Sequence, residues 1–202
     1  MDQLLILFIA IPMLAFFATL LWQNKSEKAI GKIVRFAKVS NILIALSFFV
    51  WWLINGLDPI SHKVATLYET DHFVFAIQLY YDEVTAVFSI VGAFLFFLVA
   101  TFSKYYMHRD EGYKRFFNTI LLFATAYNFI ILAGNFETLF IGWEIKGICS
   151  FILIAFYRNR YLPVKNALMF FQKSLIPTPA PSNALTKSES TYSLRLGRGN
   201  FA

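Results

Sequence analysis

Leu4 to Trp22 carries no charged side chain and, at 1.5 Å per residue, is about long enough to cross a ~30 Å hydrocarbon core. In lipid, such a run must satisfy its backbone hydrogen bonds within itself, so it is constrained to be a helix. Further apolar runs follow at Asn41–Ile54, Val84–Phe102 and Phe116–Ala133, and a fifth extends from Gly134 to Tyr157. Hydrophobic residues are 58% of the 202, whereas charged residues are only 15%, well outside the balance of soluble globular chains. The fold class expected is all-α integral membrane, with about five transmembrane helices.

Charge sorts the intervening segments. Lys25, Lys28, Lys32, Arg35 and Lys38 face a single acid, Glu27, and the stretch from Gln23 to Lys38 reads as a cytoplasmic loop. Gly56 to Glu83 instead holds Asp58, Glu69, Asp71, Asp82 and Glu83 against Lys63. It is expected to face away from the cytoplasm. Within it, Thr66–Glu69 and Phe73–Tyr80 are rich in β-branched and aromatic residues around Thr70-Asp71, predicting a small extracytoplasmic β-hairpin. Ser103 to Arg115 is basic again through Lys104, Arg109, Lys114 and Arg115, and Arg158, Arg160 and Lys165 follow Tyr157. This alternation places the N-terminus outside. A signal peptide is the competing reading of the first run, but the residues before it lack positive charge and the basic block follows it, which favours an uncleaved helix. The net charge of +6 lies in short blocks between apolar runs, so orientation in a lipid bilayer explains it better than nucleic acid, and no nucleic-acid partner is expected.

The character changes near Lys173. Pro177, Pro179 and Pro181 stand among serines and threonines, and residues 172–202 read as a disordered or out-of-frame tail. Because Tyr161–Phe171 looks like the lead-in to another helix, a fragment or a frame change near Gln172 is expected. The single Cys149 allows no intramolecular disulfide and no cysteine metal site, and His62, His72 and His108 do not gather as three ligands. Neither a phosphate-cradling glycine loop nor a nucleophile elbow is present. No catalytic residue and no cofactor is expected in this chain.

The fifth run is unusual in holding Glu144 and Lys146 near its middle. An ionised side chain at a membrane-helix centre costs roughly 2.5–3.5 kcal/mol on insertion scales, so Glu144 is a candidate proton-translocating residue. Glu137 lies seven positions earlier, on nearly the same face about 10.5 Å away. It reads either as a second step of a proton path or as an acid at the positive end of the helix dipole. Lys146 is about 200° around from Glu144 and cannot pair with it within one helix. It shares its side with Asn135, Thr138, Gly142, Cys149 and Ser150, a seam of small and polar residues, so a helix-interface contact and a charge relay both stand for it. In the fourth run Asn118, Thr125, Tyr127 and Asn128 are polar groups expected to face neighbouring helices, and Asn128 joins the residues of a proton path or helix interface.

The runs Phe102-Ser-Lys-Tyr-Tyr-Met-His-Arg-Asp110, Arg115-Phe-Phe117 and Gly142-Trp-Glu-Ile-Lys-Gly-Ile-Cys-Ser150 resemble those of the proton-antiporter-type membrane subunits. These include chain 5 (subunit L) of NADH:quinone oxidoreductase, the large subunit of multisubunit Na+/H+ antiporters and the membrane partner of inorganic-carbon uptake systems. The resemblance runs from the N-terminus to about Phe171. It implies a truncated antiporter-type bundle, with residues 1–133 as its N-terminal region and 134–171 as the start of the antiporter-type domain. It also implies that Glu144 matches the family's intramembrane glutamate, and that the partners are other membrane subunits of a respiratory or antiporter complex in a bacterial inner membrane. Protons or Na+ are the ions implied. Lys146 stands where many members have an apolar residue, so no role is carried over to it. A cation/proton antiporter or carbon-uptake subunit is the alternative function, and an inert truncated piece is a third.

Overall fold

The structure is a computed structural model and describes residues 5–22, 26–56, 58–70, 73–110, 112–157 and 161–175. Its elements in order are α1 (Leu5–Leu21), α2 (Glu27–Ile54), β1 (Ile60–Thr70), β2 (Phe73–Tyr81), α3 (Glu83–Tyr106), α4 (Tyr113–Ile131), α5 (Phe136–Ile154) and α6 (Tyr161–Leu175). Helices predominate, and the strands form a two-stranded antiparallel hairpin from Ile60 opposite Tyr81 to Thr70 opposite Phe73, with irregularities after Lys63 and Thr66.

Three boundaries differ from the sequence reading. The basic stretch expected as a loop is helical from Glu27 onward and forms the first turns of α2. Ile30, Gly31, Val34, Ala37 and Asn41 recur at helical spacing and are buried, while Lys28, Arg35 and their neighbours line the remaining faces. Positive charge marks the side of the membrane and does not break a helix made of good helix formers. The hairpin is longer than expected, because His62, Lys63 and Val64 join β1 despite their mixed polarity. Residues 172–175, assigned to the tail, continue α6, and the rest of that tail lies outside the described residues, as does His72.

By length and composition α2 and α3 can cross a membrane, and α1 is a shorter apolar helix of 17 residues. α3 is buried through small residues: it turns Ala86, Ser89, Ala93, Ala100 and Ser103 inward while Phe88, Phe94, Leu95 and Phe102 are exposed. An inside-out distribution of this kind suits a surround as apolar as the side chains themselves.

Two clusters hold the helices together. At the hairpin end, the Tyr81 ring meets Phe48 edge-on at 4.7 Å and Trp52 at 5.7 Å, with Phe8, Leu5, Leu79 and Leu132 closing around them. Trp52 donates its indole N–H to the Asp58 carbonyl at 2.9 Å. At the other end, Ile30, Val34, Met107, Tyr113, Phe117 and Phe156 pack together. There the Glu27 carboxylate holds the turn after α3, accepting from the Arg109 N–H at 2.9 Å and pairing with His108 Nδ1 at 2.9 Å. Arg109 itself is left-handed at φ 66.

Candidate functional site

The candidate site is built on α5 and its contact with α4. Asn135 caps α5: its side-chain oxygen accepts from the Thr138 N–H at 3.0 Å and also from the Thr138 hydroxyl. Its amide group donates to the Ala76 carbonyl, and the Thr138 hydroxyl accepts the Gln78 N–H at 3.0 Å. Tyr80 N–H donates to Leu132 O and Gly134 N–H to Gln78 O, each at 2.8 Å, so β2 is bonded to the α4–α5 turn. The start of α5 is thereby fixed to the hairpin. Its far end is tied by Arg115, which donates to Phe156 O at 2.8 Å and lies over the Phe156 ring.

Between these ends α5 buries Thr138, Gly142 and Cys149. A methyl group on Gly142 would stand 2.9 Å from both Ile130 Cγ1 and Phe129 Cβ and 3.0 Å from the Ile130 backbone nitrogen. At Gly142 this seam of small residues lies directly against α4. Lys146 and Ser150 flank it and are half-buried, and the Ser150 hydroxyl donates to the Lys146 carbonyl at 2.9 Å.

Glu144 is half-buried, two positions and so about 200° around the helix from Gly142, on the side turned away from the α4 contact. Glu137 is half-buried in the first turn of α5 and shares that side. The structure thus puts the two carboxylates on one face and Lys146 near the opposite one. Among the described residues the one ion pair is Glu27–His108, so neither Glu144 nor Lys146 is neutralised by a contact within them.

Asn128 is buried on α4 and donates its amide to the Phe8 carbonyl of α1. The reason lies in α1: Pro12 stands inside that helix and has no N–H, which frees the carbonyl four residues earlier, that of Phe8. Asn128 supplies the missing donor. The sequence reading singled out Asn128 but not its partner. Proline inside an apolar run was the available signal, since a freed carbonyl in lipid has to be met by a neighbouring helix.

The family model described as NADH-Ubiquinone oxidoreductase (complex I), chain 5 N-terminus, matches residues 68–117. NADH-quinone oxidoreductase subunit L of Rickettsia bellii is 30% identical over 171 residues, which cover 84% of this chain and 26% of that protein. Subunit L of Escherichia coli K12 is 28% identical over 156 residues, 77% of this chain and 25% of the relative. The chloroplastic NAD(P)H-quinone oxidoreductase subunit 5 of Nephroselmis olivacea is 33% identical over 122 residues, 58% and 19% of the two chains. Among solved structures, a chain of the membrane-bound sulfane sulfur reductase, an archaeal respiratory membrane complex, superposes with a TM-score of 0.69 over 83% of this chain and 33% of its own, at 22% identity. The described chain therefore spans a minor part of each relative's length, and the superposition carries the fold alone. An integral membrane protein fits both the apolar helices and this company. The chain is thus similar, over most of its length, to the N-terminal portion of the proton-antiporter-type membrane subunits that include complex I chain 5, or subunit L.

Proposed function

We propose that the chain serves as the N-terminal part of a proton-translocating membrane subunit of an NADH:quinone oxidoreductase-like complex, with Glu144 as a proton carrier. The observation that carries this reading is the position of Glu144: mid-helix, half-buried, and on the α5 face away from the tight α4 seam. Burial disfavours the charged carboxylate and water or a nearby cation favours it, and a reversible proton carrier needs both influences in balance. Glu137, on the same face seven residues nearer the hairpin end, offers a second station. Names of the similar proteins support a redox-linked complex over a free-standing antiporter. Flavin, iron–sulfur and quinone chemistry would belong to other subunits, and protons are the ion this reading assigns.

The test is Glu144→Gln in the full-length subunit within its complex. Proton pumping is expected to be lost or strongly reduced while assembly persists on native gels; unchanged pumping would sink the carrier role. In this reading five of the helices cross the membrane, with the N-terminus and the hairpin outside. Cysteines placed at Ser61 and Ser26 are expected to react with an impermeant thiol reagent from the outer and the cytoplasmic side respectively, and the reverse pattern would refute that orientation.

A further inference from the structure

Two buried polar atoms on α4 have no hydrogen-bond partner among the described residues: Arg115 Nε, whose N–H is a donor, and Asn118 Oδ1, an acceptor. They are three residues apart, so their side chains are neighbours on one face of the helix. An orphaned buried donor and an orphaned buried acceptor are both costly, and each has to be met by something. Both residues line one cavity of about 640 Å³ between α1, α4 and α5. At the basic end of the bundle it is bordered by Glu27, Arg109, Asp110 and Lys114, and along α4 it continues to Leu122, about 13.5 Å past Tyr113.

The unmet pair selects the occupant. An anion would accept from Arg115 but has no proton for Asn118 Oδ1, and the carboxylates of Glu27 and Asp110 border the same space. A metal cation would stand against the Arg115 guanidinium. The other charged groups are already engaged: Lys114 donates to Leu20 O at 3.1 Å and Trp22 O at 2.7 Å, Asp110 accepts the Gly112 N–H at 2.7 Å, and Glu27 holds His108 and Arg109. Water both donates and accepts, and a cavity many times the ~30 Å³ share of one molecule, lined by polar groups, is roomy enough for several. On α5 the cavity ends at Ile152, and Ile152, Ile148 and Glu144 stand four residues apart in one row. Glu144 is therefore about 12 Å beyond the cavity along the helix, with Ile148 between.

We propose that this cavity is a hydrated vestibule entered from the basic end of the bundle, in which water bridges Arg115 Nε–H to Asn118 Oδ1, and that it brings solvent protons to the apolar step at Ile148 below Glu144. The hydration stands on the cavity and its two unmet atoms. The delivery of protons rests on the proposed role of Glu144.

The experiment places single cysteines in the full chain, in sealed vesicles, with Cys149→Ala removing the native thiol. An impermeant methanethiosulfonate reagent is added from one side at a time. Asn118→Cys is expected to react from the basic side at least about tenfold faster than Leu98→Cys, an exposed position on α3, because a thiol ionises in water and not in hydrocarbon. Thr119→Cys, nearly isosteric and in the same cavity, is expected to behave alike and covers the case in which Asn118→Cys disturbs folding. Labelling of both as slow as at Leu98→Cys, or as fast from the outer side, would overturn the vestibule. Protection by inorganic phosphate at constant ionic strength would overturn water as its occupant. In the full-length subunit within its complex, Asn118→Leu is expected to slow proton pumping about tenfold with assembly intact, and Asn118→Ser, whose hydroxyl keeps a bridging water, to restore it. Unchanged pumping in Asn118→Leu where Glu144→Gln abolishes it would overturn the delivery of protons alone, whereas normal pumping in Glu144→Gln removes the carrier and leaves the labelling result untouched.

Discussion

Removing the Asn128 amide is expected to be costly only because of a proline on another helix. Pro12 leaves the Phe8 carbonyl without its helical donor, and Asn128 provides one from α4. With Asn128→Leu, of similar size, that buried carbonyl has nothing to accept from. The penalty for an unmet buried polar group is roughly 1–3 kcal/mol in proteins generally, and measured interhelical hydrogen bonds in a membrane reach about 1.7. A loss of about 1–2 kcal/mol is therefore expected in the otherwise unaltered chain. Pro12→Ala restores an N–H at position 12, which can close the ordinary i to i−4 bond onto Phe8 O. In that background Asn128→Leu is expected to cost no more than about 0.5 kcal/mol, so the two positions are coupled by about 1 kcal/mol. The assay is reversible unfolding in mixed micelles by titration with a denaturing detergent, applied to the four members of the cycle. If Asn128→Leu costs the same with alanine as with proline at position 12, the carbonyl-rescue argument is wrong, and Asn128 contributes through packing alone.

Two further outcomes follow from single sites. Gly142→Ala brings a methyl to 2.9 Å from Ile130 and Phe129, at least 0.5 Å inside the 3.4 Å lower limit of ordinary contact, whereas Gly147→Ala on the same helix meets nothing within 4 Å. The same gain in helix propensity of about 1 kcal/mol applies to both, but overpacking costs about 1–3 kcal/mol only at position 142. Gly142→Ala is thus expected to melt below Gly147→Ala, and equal melting temperatures would refute the close approach of α4 and α5. Tyr81 lies outside the membrane-spanning helices, and burial pushes its phenol above the usual value; the neighbouring Ser89 hydroxyl, already donating to Ala86 O, offsets this only in part. The folded state therefore holds that proton more tightly than the unfolded chain. The corresponding stability is present below the unfolded value of about 10 and is lost as pH rises through the raised folded value. Melting curves taken against pH are expected to show Tyr81→Phe overtaking the unaltered chain above about pH 10, and parallel curves would exclude it.

What could be read from the sequence was set by chemistry that is local along the chain. The apolar runs and the seam of Thr138, Gly142 and Cys149 depend on composition and helical period, and the structure has a helix over each run and buries that seam. The start of α2 was misjudged because positive charge reports location relative to a membrane rather than backbone conformation, and the buried positions Ile30, Val34 and Ala37 carried the truer signal. The hairpin length was underestimated because β1 is mixed in polarity, and pairing with the more apolar β2 decides its extent. The partners Asn128–Phe8 and Thr138–Gln78, and the meeting of Leu20 and Asn118 on one cavity, join residues about 60 or more positions apart. No window along the chain contains both members of such a pair.

Under the proposed function, α5 separates two tasks by face. Its α4 side is a close, small-residue contact clamped at one end by Asn135 and the hairpin and at the other by Arg115 and Phe156, so displacement of the helix is resisted along its whole length. The carboxylates of Glu144 and Glu137 lie on the far side, about 200° away from Gly142 and outside that contact. An acid placed in the seam itself would stand against the Ile130 backbone with no room for the water or partner that a proton must be passed to. An acid on the opposite face gains a position fixed by the seam while its own surroundings stay open to change. The two kinds of variant should therefore dissociate: Gly142→Ala lowers stability and disturbs Glu144 only through movement of the backbone, whereas Glu144→Gln leaves the melting temperature near that of the unaltered chain and removes the proposed proton site. A Glu144→Gln variant that melted as low as Gly142→Ala would mean that the carboxylate helps to hold the bundle, and the division of the helix into a packed face and a proton-bearing face would be wrong.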